Sequence, residues 1–311
     1  MRENFRTSLW LALALVLALK AGPELLAGPV ALAARQVTDE AGRSVRLPER
    51  IERVISLAPN LTEIIYALGA ENRLVGVTDY CDFPEAARAK PRVGSVLSPS
   101  AEQIVALKPD LVLATVAGNR AESVATLERL GVPVYATNPR SVDDVLASIL
   151  HVGDVLGEEQ AALRLASDLR HRLDALGRRL ADVSLPRVLF VVWEEPLISA
   201  GRESFLTDAI ARAGGQSITA TFSAAWPRLS LEAALEEQPD FLIFAYHGTP
   251  AEKAAERSLR QAQLKHKPGW REFRAVRQGK VIVVSDTINR PSPRLFDAME
   301  ELARTLHPEV F

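Results

Sequence analysis

No stretch of this chain carries a residue spacing that commits it to catalysis. A nucleophile elbow of the form Gly-x-Ser-x-Gly, a Gly-x-Gly-x-x-Gly turn after a strand, a P-loop and a His-Glu-x-x-His pair are all absent. The five histidines, His151, His171, His247, His266 and His307, are scattered without metal-ligand spacing, and each taken alone reads as a surface or capping residue. Cys81 is the only cysteine, so no intrachain disulfide can form. It could ligate a metal, but a buried, inert thiol is the plainer expectation. No resident metal or cofactor is therefore expected. The one concentrated polar feature is Asp286-Thr-Ile-Asn-Arg290-Pro-Ser-Pro, a loop whose prolines limit how far it can wander.

The elements that must position such a loop follow from the apolar pattern. Residues 53–58, 74–78, 111–115 and 132–136 read as buried strands, with helices over 59–68, from Ser98 to about Leu107 and over 121–130 between them. The second half repeats this grammar with strands at 187–192, 241–245 and 281–284 and helices at 204–213, after Leu229 and over 293–306. Alternation of this kind predicts parallel sheets covered by helices. The halves also share a local pattern, because Glu102 precedes Pro109-Asp110 by the same six residues that separate Glu232 from Pro239-Asp240. Two lobes of one design are the natural inference, although Pro-Asp turns are common enough to recur by chance.

Between the halves, residues 151–182 predict one long helix. Ala162, Ala166, Leu169, Leu173, Leu176 and Leu180 line one face, and no proline interrupts it. A stiff crossing of this kind should let the lobes move little. Residues 253–267 read as a solvated charged helix with no role at a site. The expected division is a signal peptide at 1–33, an N-terminal α/β lobe at 34–150, the connecting helix at 151–182 and a C-terminal α/β lobe at 183–311.

Arg2 and Arg6 precede the apolar run from Leu9 to Leu19, and Ala31-Leu32-Ala33 supplies a cleavage pattern, so the chain reads as exported. A leader without a cysteine at its end gives no lipid anchor, which points to a soluble protein in a Gram-negative periplasm. At 311 residues with 48% hydrophobic and 24% charged residues, the chain has the make-up of a soluble two-domain protein. Its net charge of -2 and pI near 6.3 give no electrostatic footprint for nucleic acid. An exported two-lobed protein without catalytic motifs fits a ligand-capturing module, its ligand held outside the carboxyl ends of the strands.

Residues 53–63 (RVISLAPNLTE), 75–84 (VGVTDYCDFP), 104–112 (IVALKPDLV) and the Asp286 to Arg294 loop carry a specific likeness. They resemble the helical-backbone periplasmic binding proteins that deliver metal chelates to ABC importers, those for vitamin B12 in particular. The resemblance implies an α/β fold of two Rossmann-like lobes with mostly parallel sheets joined by a backbone helix, the class III arrangement. It implies a binding protein rather than an enzyme, expected as a monomer, with cobalamin or a related corrinoid as ligand and membrane-embedded importer subunits as partners.

The positions that match the family's ligand site are Tyr80, Trp226, Asp286 and Arg290. Aromatic planes can pack on a corrin face while Asp and Arg bond its amide rim. Trp193, which follows the first strand of the second lobe, should also face the cleft. Core packing is the rival role for the three aromatics, and a loop-fixing ion pair for Asp286 with Arg290. Where the B12 proteins carry a further cleft tryptophan, this chain has Val96 or a neighbour, which keeps a ferric-siderophore or haem ligand open. An exported enzyme on the same fold is the reading from another class. Glu102 and Glu232 match the family's transporter-docking pair, with ordinary helix N-terminal charge as their rival role.

Overall fold

The computed structural model describes residues 34–311, so the expected leader lies outside the described residues. Residues 35–311 form one compact unit. The first half runs β1 (Ala34–Thr38), β2 (Ser44–Pro48), β3 (Val54–Ser56), α1 (Pro59–Ala67), β4 (Leu74–Val77), α2 (Ala101–Ala106), β5 (Leu111–Thr115), α3 (Ala121–Arg129) and β6 (Val134–Thr137). Then come α4 (Val142–Leu156) and α5 (Glu159–Arg179). The second half runs β7 (Arg187–Val191), β8 (Trp193–Glu194), β9 (Leu197–Ile198), α6 (Phe205–Arg212), β10 (Gln216–Ser217), α7 (Leu231–Glu237), β11 (Phe241–Tyr246), α8 (Pro250–His266), α9 (Arg274–Arg277), β12 (Val281–Ser285) and α10 (Leu295–Leu306).

Two four-stranded sheets, ordered β4-β3-β5-β6 and β10-β7-β11-β12, are parallel throughout. The central strands are apolar on both faces because each sheet is covered on both. Leu111 and Leu113 face one core while Val112 and Ala114 face another; Val188 and Phe190 are split from Leu189 and Val191 in the same way. The inner faces of both sheets, together with α1, α4, α5, α6 and α10, share one continuous core. The lobes are thus fused through packed side chains rather than hung on a linker.

The connection is two helices where one was expected. Gly157 adopts a left-handed conformation (φ 71°) and ends α4, and α5 then begins at Glu159. Arginines from elsewhere take the carbonyls freed at that end: Arg35 donates to Asp154 O and Val155 O at 2.7 Å each, and Arg73 to Leu156 O. A Cβ on Gly153 would lie 2.3 Å from the Ala162 Cβ, so the two helices cross where only glycine fits. The apolar face predicted for α5 is the buried one, at Ala162, Ala166, Leu169, Leu173 and Leu176. His151 belongs to α4, outside the crossing helix, and pairs with Glu40.

The internal repeat is real in both halves, running from the cap of a helix to the aspartate at the amino end of the sheet. Ser100 caps α2 through the Gln103 N–H and Ser230 caps α7 through the Ala233 N–H. Each helix stops at a residue with positive φ before the proline, Lys108 (47°) and Gln238 (42°). Each following aspartate then reaches back to the start of the central strand. Asp110 accepts from the Glu52 and Arg53 amides at 2.8 Å, and Asp240 from the Arg187 amide at 2.9 Å.

Candidate ligand-binding cleft

At the carboxyl ends of the strands the two halves face each other across a cavity of about 270 Å³. The first half contributes Ala58, Asn60, Val96, Thr115 and Gly118 to it; the second contributes Phe205, Trp226, Asn289 and Arg290. The first-half wall is held by Asn119, which sequence reasoning missed. Its side chain accepts from the Thr115 amide and donates to Leu57 O and Val96 O, which pins three loops with one buried amide. A Cβ on Gly118 would sit 3.0 Å from Val96, so the wall at the predicted departure position is tight and aliphatic.

Trp226 leans out of a loop that folds over Gly201, whose amide donates to Ala225 O at 2.9 Å. A Cβ there would meet Ala224 O at 2.0 Å, so glycine is required for the loop to hold its indole in the cavity. The ring is 38% exposed, which suits a contact platform better than a core residue. Trp193 (61% exposed) lies apart. It starts the short β8–β9 hairpin and lines a separate cavity of about 500 Å³ with Glu194, Glu195, Phe244, Arg260 and Lys267. Tyr80 (66% exposed) lines neither cavity. Beside it Cys81 is fully buried and bonded to Thr62 and Thr78, and burial pushes its thiol up, so it is inert packing.

Asp286 and Arg290 do meet, inside a larger charged cluster. The Arg290 guanidinium donates to Glu63 Oε1 and Asp82 Oδ1 at 3.1 Å each and to Asp286 Oδ2 at 2.9 Å. His247 sits between Asp82 (3.2 Å) and Asp286 (3.0 Å), one ring nitrogen towards each. The cluster therefore joins the first half, through Glu63 and Asp82, to the second. Burial pushes the Glu63 carboxyl above its usual range despite Ser292 and the two arginines beside it. Asp82 moves the other way; it is more open to water, so burial is outweighed by its bond to Arg290. Arg290 is raised, since Asp286, Glu63 and Asp82 overcome the burial that would lower it.

Glu102 and Glu232 sit in the first turns of α2 and α7, both exposed. They make no ion pair among the described residues. The α8 segment differs from its solvated reading: Leu264 is buried on the sheet, Lys267 donates to Glu194 at 2.8 Å, and Arg260 pairs with the same carboxylate. A helix that buries Leu264 while Leu259 stays exposed looks fully charged in sequence, and the long Arg260 side chain covers part of its inner edge.

A fold of two parallel α/β lobes around a cleft, joined by helical packing, defines a class III solute-binding architecture. The family model described as periplasmic binding protein matches residues 54–287, and the chain belongs to that family. It is 31% identical over 255 residues to the vitamin B12-binding protein of Vibrio parahaemolyticus, covering 82% of this chain and 89% of the relative. Among solved structures, the periplasmic vitamin B12 binding protein BtuF of Vibrio cholerae is 30% identical, with 82% and 96% of the two chains covered and a TM-score of 0.70. The periplasmic heme-binding protein RhuT from Roseiflexus is 29% identical, with 84% and 100% covered and a TM-score of 0.72.

Proposed function

We propose that this protein is an exported, monomeric periplasmic receptor that captures cobalamin or a related corrinoid between its lobes and delivers it to an ABC importer, without catalysing a reaction. The observation that carries the ligand reading is the inter-lobe cavity, with the Trp226 face on one side, aliphatic Val96 and Ala58 on the other, and Arg290 at its edge. A broad, flat chelate with an apolar face and an amide rim matches that division of surfaces. Trp226, Arg290 and Asp286 form the central contacts in this reading, while Tyr80 and Trp193 remain exposed aromatic faces outside the cavity. Glu102 and Glu232 dock the loaded receptor through basic residues on two importer subunits.

Haem is the second reading. Val96 in place of an aromatic plane favours it, as does the similarity to a haem-binding structure at nearly the same identity. Titrations of the purified protein with cyanocobalamin and with haemin, followed by absorbance, decide between them. Saturable one-to-one binding of cyanocobalamin with haemin inert is expected. Tight binding of haemin alone would replace the corrinoid reading.

A further inference from the structure

Arg290 touches three carboxylates, and they are not equivalent. Asp82 and Asp286 have side chains 24% and 25% exposed and line a second, open pocket that shares Arg290 with the inter-lobe cavity; the Glu63 side chain is 2% exposed. Glu63 lies on α1, in a run that is buried from Asn60 to Ile65. It projects from the first lobe into the segment that follows β12 in the second. There its Oε1 accepts from Arg290 and, at 3.4 Å, from Arg294, while Oε2 accepts from the buried Ser292 hydroxyl at 2.6 Å. Arg294 is fixed from its other side by stacking 3.8 Å over the Phe83 ring, which again belongs to the first lobe. A single buried carboxylate thus gathers three consecutive polar side chains of a proline-stiffened strap across the lobe boundary.

We infer that Glu63 is the positioning residue for Arg290. It holds the guanidinium at the cleft edge and clamps the 290–294 strap to the first lobe, so that ligand acceptors exchange with Asp82 or Asp286 while the Glu63 contact stays. The order follows from accessibility. An incoming amide or carboxylate can replace a partner that water already reaches; it cannot reach Oε1 without opening the core. Whichever of Asp82 and Asp286 gives up Arg290, His247 lies within 3.2 Å of it, and even a neutral imidazole has one N–H to donate to it. Arg290 can therefore turn from one of the two to a ligand while that carboxylate takes the imidazole N–H, and without itself moving away.

This inference rests on the reading of Arg290 as a ligand contact, and the test separates the two. Cyanocobalamin affinity is measured for wild type, Glu63→Gln, Arg290→Ala and the double variant. Glu63→Gln should weaken binding by about tenfold or more, and the effect should vanish in the Arg290→Ala background, because the residue acts through Arg290. An equal loss in both backgrounds would mean that Glu63 only supports the fold, and would overturn the inference. If Glu63→Gln does not fold, Glu63→Asp keeps the charge but shortens the reach by one methylene, and the same cycle applies. If wild type does not bind cyanocobalamin, the ligand reading fails, and hydrogen exchange of the ligand-free protein decides the rest. The amides of Arg290, Ser292 and Leu295 donate to Thr287, Arg290 and Ser292 carbonyls. They should exchange faster by about tenfold in Glu63→Gln while the α5 amides stay protected; unchanged exchange in the strap would overturn the clamp.

Discussion

The repeated helices and the cleft tell different stories about one duplicated design. From the caps of α2 and α7 to the aspartates that follow them the lobes are near copies, with the serine cap, the glutamate in the first turn, the positive-φ stop, the proline and the aspartate strut at matching places. At the cleft they share almost nothing. The first lobe presents small and aliphatic groups pinned by Asn119, whereas the second presents an exposed indole on a long loop and the Asp286 to Arg290 strap. A surface that must meet two equivalent partners is held to symmetry, and a surface that must grip one asymmetric ligand is free to diverge. The repeated pair of exposed glutamates thus fits the docking proposed above, and the divergence at the cleft fits recognition.

The strongest test of that division is charge reversal in the first turns of α2 and α7. Glu102→Arg with Glu232→Arg should lower ATP-dependent uptake into vesicles carrying the cognate importer by more than about tenfold, through like-charge repulsion against basic partners. Ligand affinity should stay at the wild-type value, because neither glutamate lines the cavity. Uptake at the wild-type rate would reduce the repeat to a structural device. At the cleft, Trp226→Ala should cost about 1–3 kcal/mol of ligand binding with little change in melting temperature. Calorimetry that finds intact affinity and a much lower melting temperature would make the indole a packing residue.

Much of this was readable from residues alone, and the failures share a cause. The strand at Leu111–Thr115 and the buried face of α5 follow from local periodicity, which one sequence window contains in full. The break at Gly157 does not, since the apolar pattern runs through it and the arginines that satisfy the helix end, Arg35 and Arg73, lie far upstream. Nothing local set Glu63 apart; its partners lie more than 220 residues away, at Arg290, Ser292 and Arg294. Likewise nothing local announced that His247 would meet Asp82 and Asp286. The loop holding Asp286 and Arg290 was visible as a polar, proline-stiffened stretch, and their ion pair was one of the two roles read for them, but the further partners Glu63 and Asp82 were not visible. Trp193, expected in the cleft with Trp226, sits instead in a cavity of its own, because the β8–β9 hairpin carries it beside α8.

The smallest expected effect asks whether the two copies of the repeat are equivalent in energy as well as in form. Asp110 satisfies two amides at the entry to β3. Asp240 satisfies one at the entry to β7 and also accepts from Arg274 at 2.7 Å. Removing either acceptor by substitution to alanine leaves strand-entry N–H groups to find water, at a cost of about 1–2 kcal/mol each. The Arg274 contact adds little, since that pair is partly exposed and screened. Asp110→Ala and Asp240→Ala should therefore lower the melting temperature by similar amounts of a few degrees, with Asp110→Ala slightly the worse, and neither should change ligand affinity. Thermal melts of the two variants, run beside ligand titrations, check both halves of the claim. A large effect in one lobe and none in the other would mean that the shared pattern survives as sequence while only one copy still supports its sheet.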